Sequence, residues 1–200
     1  DDEEIISGGK GRAYGVEVLY KITDWKSLNL TSTYTYFRSE FTDRKSVYLS
    51  SSWDTRHPLN LIVGYRFGKN WNLAERWRYV GGAPYSPIDH ELSTNREAWD
   101  VTNQVYIDYR RFNSLWLKDS HQLDLRIDKE FYFNRWLLNR IVDVQNVYNF
   151  QSERPPIYIN TDKEGTVIPD AGGDPSKQEL RILENTTGTI LRTIGLIIKI

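Results

Sequence analysis

The sequence predicts an all-β protein whose long strands form a transmembrane antiparallel β-barrel. Three observations lead to this prediction. Apolar and polar residues alternate along long segments, short and long connections follow each other in turn, and the chain is rich in aromatic residues, with seven Trp and thirteen Tyr. A spanning strand tilted by about 45° needs roughly 9 to 11 residues, whereas a typical globular strand has about 5 to 6.

The clearest segment is a predicted hairpin over residues 120–149. Leu123 and Leu125 share one face of its first arm with further apolar residues, while charged residues occupy the other face. After a turn at Asn134 and Arg135 the same alternation resumes in the second arm. A soluble β-sandwich would show the same alternation, but the length of the arms favours strands that cross a bilayer.

Five further segments are predicted as strands. With the two arms of the hairpin they make seven strands, at residues 10–23, 27–37, 57–68, 71–82, 120–133, 136–149 and 187–200. The short connections are predicted at 24–26, 69–70 and 134–135. The long ones, expected to be irregular loops, are predicted at 38–55, 84–117 and 150–186. Outer-membrane barrels have short periplasmic turns and long extracellular loops, so the first strand is expected to start outside the cell.

The two-residue period assigns a face to each side chain. The residues expected to face lipid include Val18, Leu30, Leu61, Leu125, Val144 and Leu196, and those expected to face the lumen include Glu17, Thr31, Arg126, Asp143 and Lys199. Glu75 and Arg192 interrupt the apolar parity. Aromatic residues at the short-turn ends are expected to form a girdle at the membrane interface: Trp25, Phe67, Trp71, Phe133 and Trp136.

Composition excludes several classes of protein. The 26 Lys and Arg residues and 27 Asp and Glu residues leave a formal charge of −1, so no nucleic acid is expected as a partner. The chain has no cysteine, which excludes disulfides and thiolate metal sites. It opens with Asp1 and carries no signal peptide, so we expect a mature end or a fragment. Because seven strands do not close a barrel, the first and last are expected to pair with strands outside this sequence.

Five motifs then follow one another along the chain: GKGRAYGVEVLY, RHPLNLIVGYRFGKNW, VGGAPYSP, HQLDLRIDKEF and VDVQNVYN. In this order and spacing they resemble the C-terminal barrel of TonB-dependent outer-membrane receptors, over residues 9–200. The resemblance implies the last seven strands of a 22-stranded barrel with long extracellular loops. It also implies a plug domain and a TonB-binding segment outside this sequence. Members commonly end on an aromatic residue, whereas this chain ends on Ile200.

The family resemblance implies outer-membrane transport of a nutrient such as a siderophore, another metal chelate or an oligosaccharide, with no catalytic residue and no cofactor. The implied partners are the remainder of the receptor, TonB, outer-membrane lipid and a surface lipoprotein. The alternative function is a structural or adhesive outer-membrane barrel that transports nothing. A plug would contact the charged lumen wall, namely Arg66, Arg76, Arg78, Asp124, Arg126, Asp128, Glu130 and Asp143.

Five aromatic residues in the second long loop are candidate contacts for a ligand or a partner: Trp99, Tyr106, Tyr109, Phe112 and Trp116. They could equally well pack the loop itself.

The sequence also offers residues for two other kinds of site. Three histidines each lie near an aspartate in the sequence, namely His57, His90 and His121. Such pairs could belong to a hydrolase or a metal site, but we interpret them as polar residues of solvated loops. Four acidic residues could bind calcium, but their spacing lacks the ligand pattern of a calcium loop: Asp162, Glu164, Asp170 and Asp174.

Overall fold

The computed structural model describes residues 9–200, and in this range the protein is mostly antiparallel β-sheet, which confirms the all-β class. Seven long strands lie side by side in sequence order, each antiparallel to its neighbours. They are β1 (Gly11–Trp25), β2 (Leu28–Thr42), β3 (Leu59–Phe67), β4 (Trp71–Val80), β5 (Ser120–Tyr132), β6 (Leu137–Gln145) and β7 (Leu191–Lys199). The acidic residues at positions 1–4 lie outside the described range.

Smaller elements occupy the long connections. Two α-helices and one 3₁₀ turn lie between β4 and β5, at His90–Thr94 (α1), Arg96–Thr102 (α2) and Tyr109–Arg111. The short strand Tyr48–Ser50 pairs with the end of β2. Three two-stranded ladders join Pro84–Tyr85 to Leu115–Trp116, Ser152–Glu153 to Thr186–Thr187, and Ile157–Ile159 to Arg181–Leu183.

The long connections are therefore more ordered than the sequence predicts. The segment 150–186, predicted as irregular loop, contains two of these ladders, and β2 runs on to Thr42 beyond its predicted end. Ladders of two or three residues are too short to show a readable period. At the other boundary, β6 stops at Gln145, where Asn146 adopts a left-handed backbone with φ 53°.

The short connections are tight turns. Lys26 and Ser27 both have positive φ, at 50° and 68°, as in a type I′ hairpin turn. The connection predicted at 69–70 has three residues, because Gly68 also leaves the ladder with φ 53°. Glycine adopts this left-handed backbone without strain, which explains its presence at position 68. At the third turn, Phe133 N donates to Trp136 O at 2.9 Å.

The strand register gives the sheet one predominantly apolar face. Cross-strand partners point to the same side of a sheet, and one row of partners crosses all seven strands: Ile22, Leu30, Val63, Glu75, Leu125, Val144 and Arg192. All six residues expected to face lipid lie on this side, and all five expected to face the lumen lie on the other. The predicted separation of the two faces is therefore present.

No described element covers the apolar face. Among residues 9–200, Trp99 and Pro84 are the only apolar residues that are buried, and both lie in the connection between β4 and β5. Val18 on β1 and Leu196 on β7 are 56% and 67% exposed. A soluble sandwich would bury such a face against a second sheet, and this arrangement is absent from the described residues.

The sheet is open at both edges. Within the described range, β1 pairs only with β2, and β7 pairs only with β6. The helices that the structure describes fall short of the length and apolar character that a membrane span requires.

Candidate functional site

The three long connections lie at the same end of the strands, because each strand runs antiparallel to the one before it. They contact each other directly. Asn113 Nδ2 donates to Ser50 O at 2.8 Å, and Gln178 N donates to Thr94 O at 2.9 Å. They form one folded layer, called here the loop layer (residues 43–58, 81–119 and 146–190).

Short polar side chains fix the helices of this layer. Asp89 caps α1 by accepting from Leu92 N at 3.2 Å. Asn95 ends α1 and at the same time caps α2, accepting from Ala98 N at 3.0 Å. Asn103 ends α2 in a left-handed conformation with φ 51°. These caps satisfy helix-end amides that would otherwise lack partners.

Two of the five predicted contact residues serve the packing of the loop layer. Trp99 is only 7% exposed. Tyr106 is half-buried, and its hydroxyl donates to Ala98 O at 2.8 Å while its backbone N donates to Ser93 Oγ. Neither ring is presented to solvent as a contact surface.

The other three predicted residues lie nearer the surface. Tyr109 is 75% exposed and stacks on Phe112, with ring centroids 6.1 Å apart. Phe112 meets Phe41 of β2 edge-on at 5.8 Å. Trp116 lies apart from them, and the guanidinium of Arg56 sits 4.0 Å from its ring centroid. The structure thus brings together only Tyr109 and Phe112 of the predicted set.

A polar cleft of about 630 Å³ opens between α1 and the segment 169–180. Its lining residues are His90, Glu91, Thr94, Asp170, Lys177, Gln178, Glu179 and Leu180. No sequence pattern predicts this cleft, because its two walls are far apart in the chain and no motif joins them. Only the unusual length of both loops could have pointed to it.

The lumen wall carries a connected network centred on Asp124, which is 6% exposed. Arg76 donates to Asp124 Oδ2 through Nε at 3.1 Å and through a terminal nitrogen at 2.8 Å, and Arg78 approaches the same oxygen at 3.5 Å. Gln122 Nε2 and Asn146 N donate to Oδ1 at 2.6 and 3.0 Å. The network ties β4, β5 and the end of β6 together.

The remaining lumen-wall residues form smaller groups. Asp128 accepts from Asn72 Nδ2 at 3.0 Å and from Arg126 Nε at 3.4 Å. Arg66 pairs with Asp24 at 2.6 Å near a short turn. Glu130 and Asp143 accept from residues two positions away, Tyr132 and Gln145. The arginines of this face are therefore paired with aspartates, whereas Glu130 and Asp143 accept from neutral side chains.

The histidines do not form the His–Asp pairs that a hydrolase would need. Nδ1 of His57 hydrogen-bonds the hydroxyl of Tyr34 at 2.9 Å, and that of His121 hydrogen-bonds Tyr148 at 2.7 Å. Asp54 is fully buried and instead accepts from Arg38 and from the backbone of Ser39.

The acidic residues considered for calcium stabilise turns. Asp162 Oδ1 accepts from the backbone N of Glu164 and Thr166, and Asp174 Oδ1 accepts from Ser176. Hydrogen bonds from Ser176 lower the pKa of the Asp174 carboxyl. Among the described residues, no group of three or more His, Asp or Glu side chains could hold a metal ion.

One ionised contact joins the loop layer to the sheet, and another joins two connections within the layer. The carboxylate of Asp119 accepts from the Tyr79 hydroxyl at 2.5 Å and from Gly82 N at 2.9 Å, and these bonds lower its pKa. The Lys118 ammonium pairs with Glu153 across two loops. This hydrogen bond lowers the pKa of Glu153 and raises that of Lys118.

Comparison with known proteins does not assign this site to a family. No protein-family model matches the chain, and no curated protein matches it either.

Proposed function

We propose that this chain is the C-terminal part of a TonB-dependent outer-membrane transporter, and that it forms seven strands of its 22-stranded barrel. The observation that carries the proposal is the single uncovered apolar face that the register extends across all seven strands. In water such a surface is unfavourable by about 25 cal/mol per Å². In a bilayer it is the face that contacts lipid.

Aromatic side chains border the apolar face at both ends. Near the short turns, Phe67 stacks on Trp71 and Phe133 on Trp136, with centroids 6.3 and 4.0 Å apart. Near the loop layer lies a row that includes Tyr34, Tyr79 and His121, whose polar tips all have hydrogen-bond partners. This is the placement expected for residues at a membrane interface, with an apolar ring and a hydrated tip.

The spacing of these two rows suits a bilayer. Trp71 and Tyr79 lie eight positions apart on β4, which is about 26 Å along an extended strand. For a strand tilted by roughly 40°, this gives about 20 Å along the membrane normal, close to the ~25 Å apolar band of outer-membrane barrels.

Charged side chains interrupt the apolar face at several positions. Lys129 and Arg140 lie opposite each other towards the short turns. Arg192 lies one residue from the start of β7, at the loop edge, where a long cation can reach the interface. Glu75 lies mid-strand, and its carboxyl has no hydrogen-bond or ion-pair partner among residues 9–200. We have no physical account of Glu75.

The open edges and the charged wall support membership of a larger barrel. In lipid, the unpaired N–H and C=O groups of β1 and β7 would each cost several kcal/mol, so both strands need further neighbours. The paired charges around Asp124 form a hydrated face on which a plug domain could pack.

Nutrient uptake by cells tests the proposal. A strain lacking the gene should lose growth on one scarce nutrient, and restoring the gene should rescue growth only when TonB is present. The adhesive alternative predicts instead that loss of the gene changes surface attachment and leaves growth unaltered. Rescue that does not depend on TonB would contradict active transport.

A further inference from the structure

The polar cleft between α1 and residues 169–180 contains an unsatisfied polar group. Gln178 lines this cleft and is 2% exposed, so its amide is almost completely removed from bulk water. Its Oε1 accepts from Asn160 Nδ2 at 3.0 Å, but its Nε2 has no partner among the described residues. A buried polar atom without a partner is rare and costs about 1–3 kcal/mol.

The amide assignment does not alter this conclusion. Exchanging nitrogen and oxygen in both Gln178 and Asn160 would preserve their hydrogen bond and leave the glutamine oxygen unpaired. In either case, one buried polar atom of a residue that lines the cleft has no partner among the described residues.

Three charged side chains around Gln178 are also available. Glu91, Lys177 and Glu179 line the cleft, and their charged groups have no hydrogen-bond or ion-pair partner among residues 9–200. Asp170 lines it too, and one of its oxygens accepts from Asp174 N at 3.2 Å. The cleft thus offers carboxylates, which only accept hydrogen bonds, beside an ammonium, which only donates them.

This mixture selects for a particular ligand chemistry. A polyanion would be repelled by the three carboxylates, and the ammonium of Lys177 weakens the attraction of the cleft for a polycation. Neighbouring hydroxyl groups satisfy both kinds of partner, because each hydroxyl donates one hydrogen bond and accepts others. The volume of about 630 Å³ lies within the roughly 300–1,000 Å³ of small-molecule sites.

The backbone of the cleft is held in place without a ligand. Gln178 N donates to Thr94 O at 2.9 Å, and Arg96 Nε donates to Lys177 O at 2.9 Å. The first bond joins the two walls and the second joins one wall to the start of α2, so the side chains that line the cleft are carried by a fixed frame. Such pre-organisation reduces the entropy lost on binding.

We propose that this cleft binds a neutral polyhydroxylated molecule, with the chemistry of a short oligosaccharide, through Glu91, Lys177, Gln178 and Glu179. The inference rests on the proposed function only in treating the bound sugar as cargo, because the binding site itself is defined by the loop layer.

Calorimetric titration of the detergent-purified full-length protein tests the site. The probes are maltotriose, xylotriose and cellotriose, with spermidine and citrate as cationic and anionic comparisons. At least one trisaccharide should bind more tightly than both charged probes. Replacing Glu179 by Gln, or Gln178 by Leu, should weaken its binding about ten-fold or more, because each change removes a hydrogen-bonding group.

Glu164→Gln is the matched control, since it neutralises an exposed glutamate of the same connection outside the cleft. It should bind the sugar like the native protein. Circular dichroism should show unchanged strand content for every variant, which separates lost binding from lost folding. The proposal is overturned if no trisaccharide binds, if a charged probe binds best, or if Glu179→Gln and Glu164→Gln behave alike.

This result is independent of the growth test for transport. If the protein imports a ferric chelate with TonB but binds no trisaccharide, the proposed transport function holds and the proposed sugar site is wrong. If the protein binds the sugar at this cleft but does not support TonB-dependent growth, the sugar site holds and the proposed transport function is wrong.

Discussion

Arg76 and Asp124 face each other on neighbouring strands, and two guanidinium nitrogens of Arg76 converge on one carboxylate oxygen of Asp124 at 2.8 and 3.1 Å. Asp124 is almost completely buried, so this contact is less screened by solvent than a surface ion pair. Asp124 is the centre of the network on the polar face, and its negatively charged carboxylate accepts the hydrogen bonds of its neighbours.

Asp124→Asn should therefore destabilise the protein by about 1–3 kcal/mol, because an amide cannot accept at both of its polar atoms and leaves donors unpaired. The measurement is unfolding of the purified protein in detergent. Asp143→Asn is the control, since its carboxylate receives only a 3.4 Å hydrogen bond from Gln145. Equal losses in the two variants would contradict the central role of Asp124.

Arginine substitutions on the two faces of β2 should differ in their effect on assembly. Leu30→Arg places a charge on the proposed lipid face and should cost roughly 2–4 kcal/mol near the midplane. Thr33→Arg, three residues further along, points to the polar face and should cost much less. Heat-modifiable migration in membrane fractions reports assembly. The assignment of faces is wrong if Thr33→Arg impairs assembly as much as Leu30→Arg does.

Close backbone approach predicts a strict requirement for glycine at position 82. A Cβ atom there would lie 1.8 Å from Leu117 O, so Gly82→Ala must displace the start of the loop layer and should cost about 1–3 kcal/mol. Gly64→Ala on β3 provides the comparison, because its Cβ would meet only Asn29 Cβ at 3.9 Å. Thermal unfolding should show a lower Tm for the first variant alone.

The burial of Trp99 in the loop layer predicts that its removal destabilises only this layer. Removing its buried ring should destabilise the loop layer by about 3–5 kcal/mol while the sheet stays intact. Limited proteolysis of Trp99→Ala should therefore cleave within residues 81–119 and spare the strands. Trp53→Ala, which loses a ring that is 80% exposed, should resist like the native protein. Cleavage of both variants at equal rates would show that burial of Trp99 contributes little.

Acidification should weaken the junction at Asp119. Its pKa is lowered in the folded protein, so its contribution to stability is present above the unfolded value of about 3.9 and is lost as the pH falls through the folded value. Asp119→Asn should thus lose less stability than the native protein between about pH 5 and pH 2. Parallel declines of Tm in the two proteins would argue against this role.

The strands and their faces could be predicted from the sequence because a long strand repeats one simple pattern. Leu125 and Asp124, for example, reveal their opposite faces by parity alone. The loop layer follows no such pattern. Trp99 lies inside it only because Asn95 and Asn103 delimit α2, and Gln178 meets Thr94 across a long stretch of chain. Contacts between distant segments leave no period for a single sequence to show.

The meander also prescribes an order of folding. β1 and β2, β3 and β4, and β5 and β6 are each joined by a tight turn, so closing these three hairpins costs little chain entropy. Joining β4 to β5 or β6 to β7 must close residues 81–119 or 146–190, and the cost of closure rises with loop length. Hairpins should therefore form first and dock afterwards, with β7 added as a single strand. An assembly factor acting on this chain would handle pairs of strands, and the last strand would be the slowest to arrive.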